Sequence, residues 1–442
     1  MNQNLRTLGD RAIVIGGSIA GLLSARILSG YFQQVIILDR DTLPLTPQAR
    51  RGVPQSVQPH VLFTKGYRIL AELFPDIEEQ LQQNGALTID WAREFKHYVD
   101  GHWGLAGDRA SDIVSITCSR YLLEWTIRQE LLKLPRIKII EQSKVTGLVY
   151  DDEQKRITGV NLRSTPQISG DLVVDASGRS SLAPQWLEQI GYDIPETTVN
   201  PFLGYATRRY QLPDNLNPDW KVLLISQTPP NDTRLGYLAR IENNELIATL
   251  GGYSKDFPPL DDRGFREFAG SLAQSDFERA IANAVPTSPI YAHRATANRL
   301  RNYDKVKLPA GFIALGDAVC ALCPVYGQGM TVSALGAKTL QAWLNKSSKG
   351  KLDNNRFQKQ LAKSNSFHWM LATSQDSRFP DTTGGEPSQG GIAQKLMTSY
   401  MNKLVSKAAV DASLHLKFLE ITHLLRSPLS FYHPAVVWRV LT

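Results

Sequence analysis

A glycine-rich turn between two short apolar runs constrains this chain more than any other feature. Ala12 to Ile15 reads as a buried strand, and Gly16-Gly-Ser-Ile-Ala-Gly21 follows it directly. Ile19 to Leu28 has helical spacing and stops near Gly30; Val35 to Leu38 is a second strand run, ending in Asp39. The unit is strand, turn, helix, strand, acid. Gly16 permits a sharp turn and Gly21 a close approach of helix to strand. The helix N-terminus offers unpaired N–H groups and the positive end of its dipole, which suits a pyrophosphate. Asp39 can accept hydrogen bonds from an adenosine ribose. Ser18 replaces the middle glycine of this fingerprint. It is small enough for a phosphate to approach, and its hydroxyl can donate.

Length and composition narrow the class. The chain has 442 residues, enough for two or three domains with a sizeable core. No run of about 18 apolar residues is present, so no spanning helix is expected. The first residues lack the apolar core of a signal peptide. Three cysteines, an odd number, argue for a reducing, cytoplasmic setting. A net charge of +7 is mild at this length, and no basic block with interleaved aromatics points to nucleic acid. The charge suits an anionic cofactor, with peripheral contact to an anionic membrane as the alternative. No metal site is expected.

Along the chain, Arg40 to His60 forms a long loop with Pro44, Pro47 and Pro54. A helix with Leu62, Tyr67, Leu70, Leu73 and Phe74 on one face follows. Asp100-Gly101 between Glu94–Val99 and His102–Leu105 predicts a hairpin. Ser119 is an N-cap for a helix over 120–133, closed by Pro135. Short strands are expected at 137–140, 157–162 and 172–175. Between 196 and 252 repeated strand runs separated by turn residues predict an antiparallel sheet, and helical patterns follow near 264–284. Residues 311–317 return to a buried strand, and 331–345 to a helix. From about 350 the chain is polar, with a glycine-rich stretch near 384–391, and 392–442 reads as largely helical.

Leu315-Gly-Asp-Ala-Val-Cys-Ala-Leu-Cys-Pro-Val-Tyr-Gly-Gln-Gly-Met-Thr331 is the second informative stretch. Asp317 can hydrogen-bond a ribityl hydroxyl. The N–H groups at Gly327 to Met330 open a helix, whose dipole favours negative charge such as a reduced flavin carries near N1.

With Gly16 to Gly21, Asp39-Arg40, Arg120, Asp175-Ala-Ser-Gly178 and Gly316-Asp317 through Gly329, the chain resembles the FAD-dependent oxidoreductases built like the aromatic hydroxylases. That superfamily also holds squalene epoxidases, geranylgeranyl reductases and flavin halogenases. The resemblance implies an α/β plus antiparallel β fold: a Rossmann-type, GR2-like FAD-binding domain, an inserted antiparallel-sheet substrate domain and a helical C-terminal region. The FAD-binding segments would be 1–85, 111–185 and 301–349. The substrate domain would take 86–110 as a hairpin and 186–300, with 350–442 as helical cover. FAD contacts are implied at Gly16, Gly17, Ser18, Ala20, Gly21, Asp39, Arg40, Arg51, Arg120, Asp317, Pro324, Gly327, Gln328, Gly329 and Met330. The implied activity is monooxygenation, hydroxylation or epoxidation through a flavin C4a-hydroperoxide. Its partners are molecular oxygen and a small, largely apolar organic substrate, in secondary metabolism.

Departures from the pattern qualify the electron source. Ser177 occupies the place of the middle acid, and Asp175 stands two residues earlier. No second nucleotide fingerprint exists, so electrons would come from substrate-gated NAD(P)H or from a partner reductase. Arg40, Arg50 and Arg51 could attract a transient NADPH. Cys320 stands where hydroxylases carry histidine. Gly52-Val-Pro-Gln55 and His60 match one subgroup, with Gln58 for its first histidine. His60, Gln55 and Tyr326 are pocket candidates, as is Trp369; no catalytic side chain is assigned. Cys320 and Cys323 read as small buried residues or as a dithiol. The final apolar helix, with Leu414, Phe418, Ile421, Leu424 and Leu425, packs on the body or meets a lipid surface. The alternatives are an FAD-dependent reductase of an isoprenoid-like substrate, a flavin halogenase lacking the usual Trp-x-Trp-x-Ile-Pro, and a non-enzymatic FAD-binding partner protein.

Overall fold

The computed structural model describes residues 7–107, 109–163, 167–213, 218–385 and 392–441. The opening unit folds as its periodicity predicts. β1 (Gly9–Ile15) and β2 (Phe32–Leu38) pair in parallel, with α1 (Ile19–Leu28) crossing between them. Ala12–Ile15 and Val35–Leu38 are wholly buried, as strands covered on both faces must be. α2 (Thr64–Leu73) follows the long loop. β3 (Phe95–Val99) and β4 (His102–Trp103) form the expected hairpin, with Asp100 at φ 51° and Gly101 at φ 84°. Two positive φ angles are what an Asp-Gly turn supplies. Ser119 caps α3 (Arg120–Leu132), its hydroxyl accepting from Leu122 N at 3.2 Å. β5 (Ile137–Ile140) and β6 (Leu172–Asp175) complete this half of the chain. A five-stranded, all-parallel sheet results, in the order Phe312–Ala314, β6, β1, β2, β5.

β7 (Gly204–Gln211), β8 (Val222–Ile225), β9 (Arg234–Ile241) and β10 (Glu245–Gly252) belong to an eight-stranded sheet, with β11 (Tyr291–His293) on the outer side of β7. Its pairings are antiparallel except β3 with β8, which brings in the early hairpin. Side chains alternate between its faces. Leu246, Ala248 and Leu250 pack under Phe265 and Phe277, while Ile247 faces Trp91 and Leu419. Each fully buried aromatic contributes about 1.5–3 kcal/mol. Thr207 and Thr249 share the second face. The helical pattern near 264–284 resolves into two short helices, Asp262–Gly270 and Asp276–Ile281.

α4 (Gly329–Asn345) begins earlier than the apolar pattern alone suggested. α5 (Asn354–Asp376) runs 23 residues where the sequence read only as polar. Its inward face is mixed, with Asn354, Gln358, Asn365 and His368 buried beside Phe357 and Leu361. Asn354 donates to Pro309 O at 3.0 Å and Gln358 to Ala314 O at 3.0 Å, so polar residues interrupt the apolar stripe that would advertise it. α6 (Ile392–Val410), α7 (Ala412–Thr422) and α8 (Pro434–Leu441) end the described chain. Leu419 packs on the large sheet, and Leu414 and Ile421 pack between the terminal helices; Leu424 lies beyond α7 at φ 60°. Of the glycine-rich stretch, residues 386–391 lie outside the described residues. Among the described residues no helix is long and apolar enough to cross a membrane.

Candidate functional site

The glycine turn is built by two close approaches. Gly16 has φ 103°, and a Cβ there would sit 2.6 Å from Ala176 O. A Cβ on Gly21 would lie 1.8 Å from Gly16 O, so only glycine lets α1 meet the turn. Gly17 N donates to Asp39 at 2.8 Å, and Asp41 N to its other oxygen at 2.9 Å. Ala20 is half-exposed at the opening of α1. Ser18 stands at the N-cap of α1 but does not cap it; its hydroxyl donates to Glu124 at 2.6 Å. The first-turn N–H groups of α1 therefore stay uncapped.

Arg50, to which the sequence assigned only attraction of phosphate, is the centre of this end. It is bonded to Asp39 (3.1 Å), Asp41 (2.8 Å) and Glu124 (2.8 Å), and donates to Gly17 O at 3.2 Å. Arg40 is exposed and reaches Gly52 O at 3.4 Å, while Arg51 is exposed beyond the cradle. Arg120 pairs with Glu124 at 3.2 Å and donates to Ser18 Oγ at 2.8 Å, and its Nη1 is buried without a partner. Burial alone would raise the Glu124 carboxyl; Arg120 and Arg50 hold it below its usual value. Glu124 escaped the sequence reading because Arg120 and Glu124 at i,i+4 look like a solvated helix pair.

The second cradle lies across from the first. Asp317 is half-exposed and accepts no hydrogen bond among the described residues. Burial pushes its carboxyl up, against the pull of Arg179 and Arg120. Gly327 has φ 64°, Gly329 has open space where a Cβ would go, Met330 is buried and Pro324 is exposed. Gln328 sits at the N-cap of α4 without capping it, its amide oxygen instead 3.2 Å from His368 Nδ1. Ser119, Asp353 and Asp411 do cap their helices. The two N-termini without side-chain caps at this site are those the resemblance gives to FAD.

The pocket candidates fall on different neighbours. His60 bonds Gln58 O at 2.9 Å, and burial next to Arg120 lowers its pKa to about 3, so it is neutral. Gln55 is half-exposed. Gln58 is the glutamine that reaches the large sheet, accepting from Thr207 at 2.5 Å. Cys320 and Cys323 are buried free thiols, Cys320 pushed up to about 12 by burial. Trp369 packs on the cluster around Cys320.

Tyr326 spends its hydroxyl on Asp376, an α5 residue the sequence did not single out, at 2.6 Å. Asp376 also accepts from Asn298 (2.6 Å) and Tyr253 (3.2 Å). Burial pushes its carboxyl up to about 6, against these three donors. A carboxyl raised on folding stabilises the fold at pH below its unfolded pKa and loses that contribution as pH rises through its folded one. This contribution is therefore expected to fall between about pH 4 and pH 7. Asp376→Asn should lack that decline. Urea unfolding of both proteins at several pH values checks it, and parallel curves would refute the assignment.

No protein-family model matches the chain. Protein Rv3254 of Mycobacterium tuberculosis is 33 % identical over 390 residues, covering 85 % of this chain and 81 % of the relative. The myxobacterial chondrochloren halogenase CndH, an FAD-dependent halogenase, superposes with a TM-score of 0.64 at 13 % identity, over 90 % of each chain. 2-Methyl-3-hydroxypyridine-5-carboxylic acid oxygenase superposes at 0.61 with 17 % identity, over 83 % of this chain and 91 % of the other. The chain thus belongs to one family with protein Rv3254, and its mixed α/β fold is the one these solved structures share.

Proposed function

We propose that this protein is an FAD-dependent monooxygenase acting on a small, largely apolar organic molecule. The observation that carries the cofactor is the pair of helix N-termini without side-chain caps, α1 and α4, each with a carboxylate nearby (Asp39 and Asp317) and with the unpartnered Arg120 Nη1 among them. These groups fit a dinucleotide flavin. Asp39 would take the ribose, α1 and Arg120 the pyrophosphate, Asp317 the ribityl chain and α4 the flavin ring. When bound, FAD supplies the reaction with dioxygen that transfers oxygen to the substrate.

The chain's own residues supply the rest. The α4 N-terminus stabilises negative charge on the ring. His60, neutral, can donate or accept one hydrogen bond without bringing charge. The buried face of the large sheet, with Thr207 and Thr249, closes the site against water. Asp175 is spent on its own turn, accepting from Ser177 and Ser181 at 2.5 and 2.6 Å. It is also wholly buried, so it does not reach a nicotinamide cofactor. This favours substrate-gated NAD(P)H or a partner reductase as the electron source.

The purified protein is expected to be yellow, with about one FAD per chain, and Asp317→Ala should weaken FAD by about 1.5–3 kcal/mol. Fluorescence titration of the apoprotein measures it; equal affinities would remove Asp317 from the site. Substrate-stimulated oxygen uptake separates a monooxygenase from a reductase, which turns over anaerobically. Flavin bleaching by NADPH alone, at the turnover rate, would sink the gated or partner-fed source.

A further inference from the structure

Arg179 lies on the turn after β6, just past Gly178 at φ 82°. It is half-buried, yet its guanidinium bonds only backbone carbonyls: Ala297 O, and Leu322 O at 2.8 Å. Among the described residues no carboxylate lies within ion-pair distance of it. Its basic neighbours are answered. Arg120 pairs with Glu124 at 3.2 Å, and Arg299 and Arg301 with Glu196 at 3.3 and 3.0 Å. A guanidinium carries five N–H donors, and two carbonyls leave some unspent. A half-buried charge held only by neutral dipoles is an incomplete arrangement, which an anion completes.

The place of Arg179 says which anion. Leu322 belongs to the loop between Asp317 and α4, and Ala297 to the segment after β11. Arg179 is therefore fastened beside the candidate flavin cradle, against the paired strands Asn298–Arg301 and Cys320–Ala321. Asp317 and His293 feel its charge, and His60 in turn feels Arg120 and His293. Both histidines stay neutral, lowered by burial to about 3 for His60 and about 4 for His293. They can bond a ligand but cannot neutralise Arg179. Asp317 pulls on it electrostatically from beyond ion-pair range.

We propose that Arg179 receives a carboxylate of the substrate, which makes the substrate an organic acid with an apolar body. The proposal rests on the flavoprotein reading and names the substrate class of that site. A planar guanidinium matches a carboxylate with two parallel hydrogen bonds, so it orients the bound acid as well as attracting it.

Calorimetric titration of the purified holoprotein with benzoate, benzamide and AMP tests this. Wild type is expected to bind benzoate at least about tenfold more tightly than benzamide, the effect of one charge-assisted pair. In Arg179→Gln the two should bind alike, while Arg179→Lys keeps part of the preference. No preference in wild type, or a preference that survives in Arg179→Gln, overturns the proposal. So does AMP displacing benzoate with higher affinity, which would assign Arg179 to a phosphate-bearing cofactor. Should Arg179→Gln fail to fold, the wild-type preference and the lysine variant still decide. Flavin content is read separately at 450 nm. A colourless protein that keeps the benzoate preference would defeat the flavin reading and leave the acid site standing.

Discussion

Arg50→Ala is expected to unfold this protein more readily than any other charge removal in it. Arg50 has a side chain only 6 % exposed, and it answers Asp39, Asp41 and Glu124, whose side chains are 6 %, 12 % and 6 % exposed. Its removal strands Asp39 and Asp41, with Arg120 left to answer Glu124. Breaking a buried ion pair on one side costs about 3–5 kcal/mol, because the remaining charge stays buried and unpaired. Cofactor affinity should fall with stability, since the turn that presents Gly17 N and Asp39 loses its clamp. Urea denaturation gives the first number and FAD titration the second. Arg50→Ala/Asp41→Asn should recover part of the loss by removing one stranded charge. A loss below about 1 kcal/mol, the range of exposed pairs, would mean the cluster is solvated in solution.

Two glycine-to-alanine changes should act in opposite directions. In Gly21→Ala the new methyl would lie 1.8 Å from a backbone oxygen that cannot swing away. α1 must leave the turn, at a cost of about 3 kcal/mol or more. In Gly329→Ala the methyl meets nothing within 4 Å, and the backbone is already helical. Stability should hold, or rise by a few tenths of a kcal/mol. The same methyl enters the open space before the α4 N-terminus, so FAD affinity should drop while the melting temperature does not. Thermal melts of apoproteins with parallel FAD titrations separate the two. If Gly329→Ala binds FAD like wild type, α4 does not face the flavin.

What could be read in the sequence was whatever local physics writes locally. The doubly buried strands show as unbroken apolar runs, the Asp100-Gly101 hairpin needs two positive φ angles, and Ser119 caps a helix three residues on. The residues that were missed act across the chain. Glu124 meets Ser18 more than a hundred positions away, and its i,i+4 spacing from Arg120 imitates a surface pair. Asp376 gathers donors from three other segments, and it sits on a helix whose buried face mixes polar with apolar residues. Gln58 rather than Gln55 reaches the sheet because the short helical turn Pro54–Val57 rotates the chain between them. Arg179 follows a motif residue, but nothing beside it in the sequence shows that its partners are carbonyls.

The parallel sheet has a further consequence for how the protein is made. β6 lies between β1 and the Phe312–Ala314 strand, so its outer edge stays open until that late segment has been synthesised. At ribosomal speeds of about 5–20 residues per second, the roughly 140 residues between β6 and that strand take about 7–28 s. During that interval the nascent chain carries Val173 and Val174 on an unpaired parallel edge, a template for pairing with another chain. Production of this protein is therefore a race between elongation and association. Slower growth temperature, a holding chaperone, or early capture of the nucleotide by the first strand–turn–helix unit would each shift it toward the native fold.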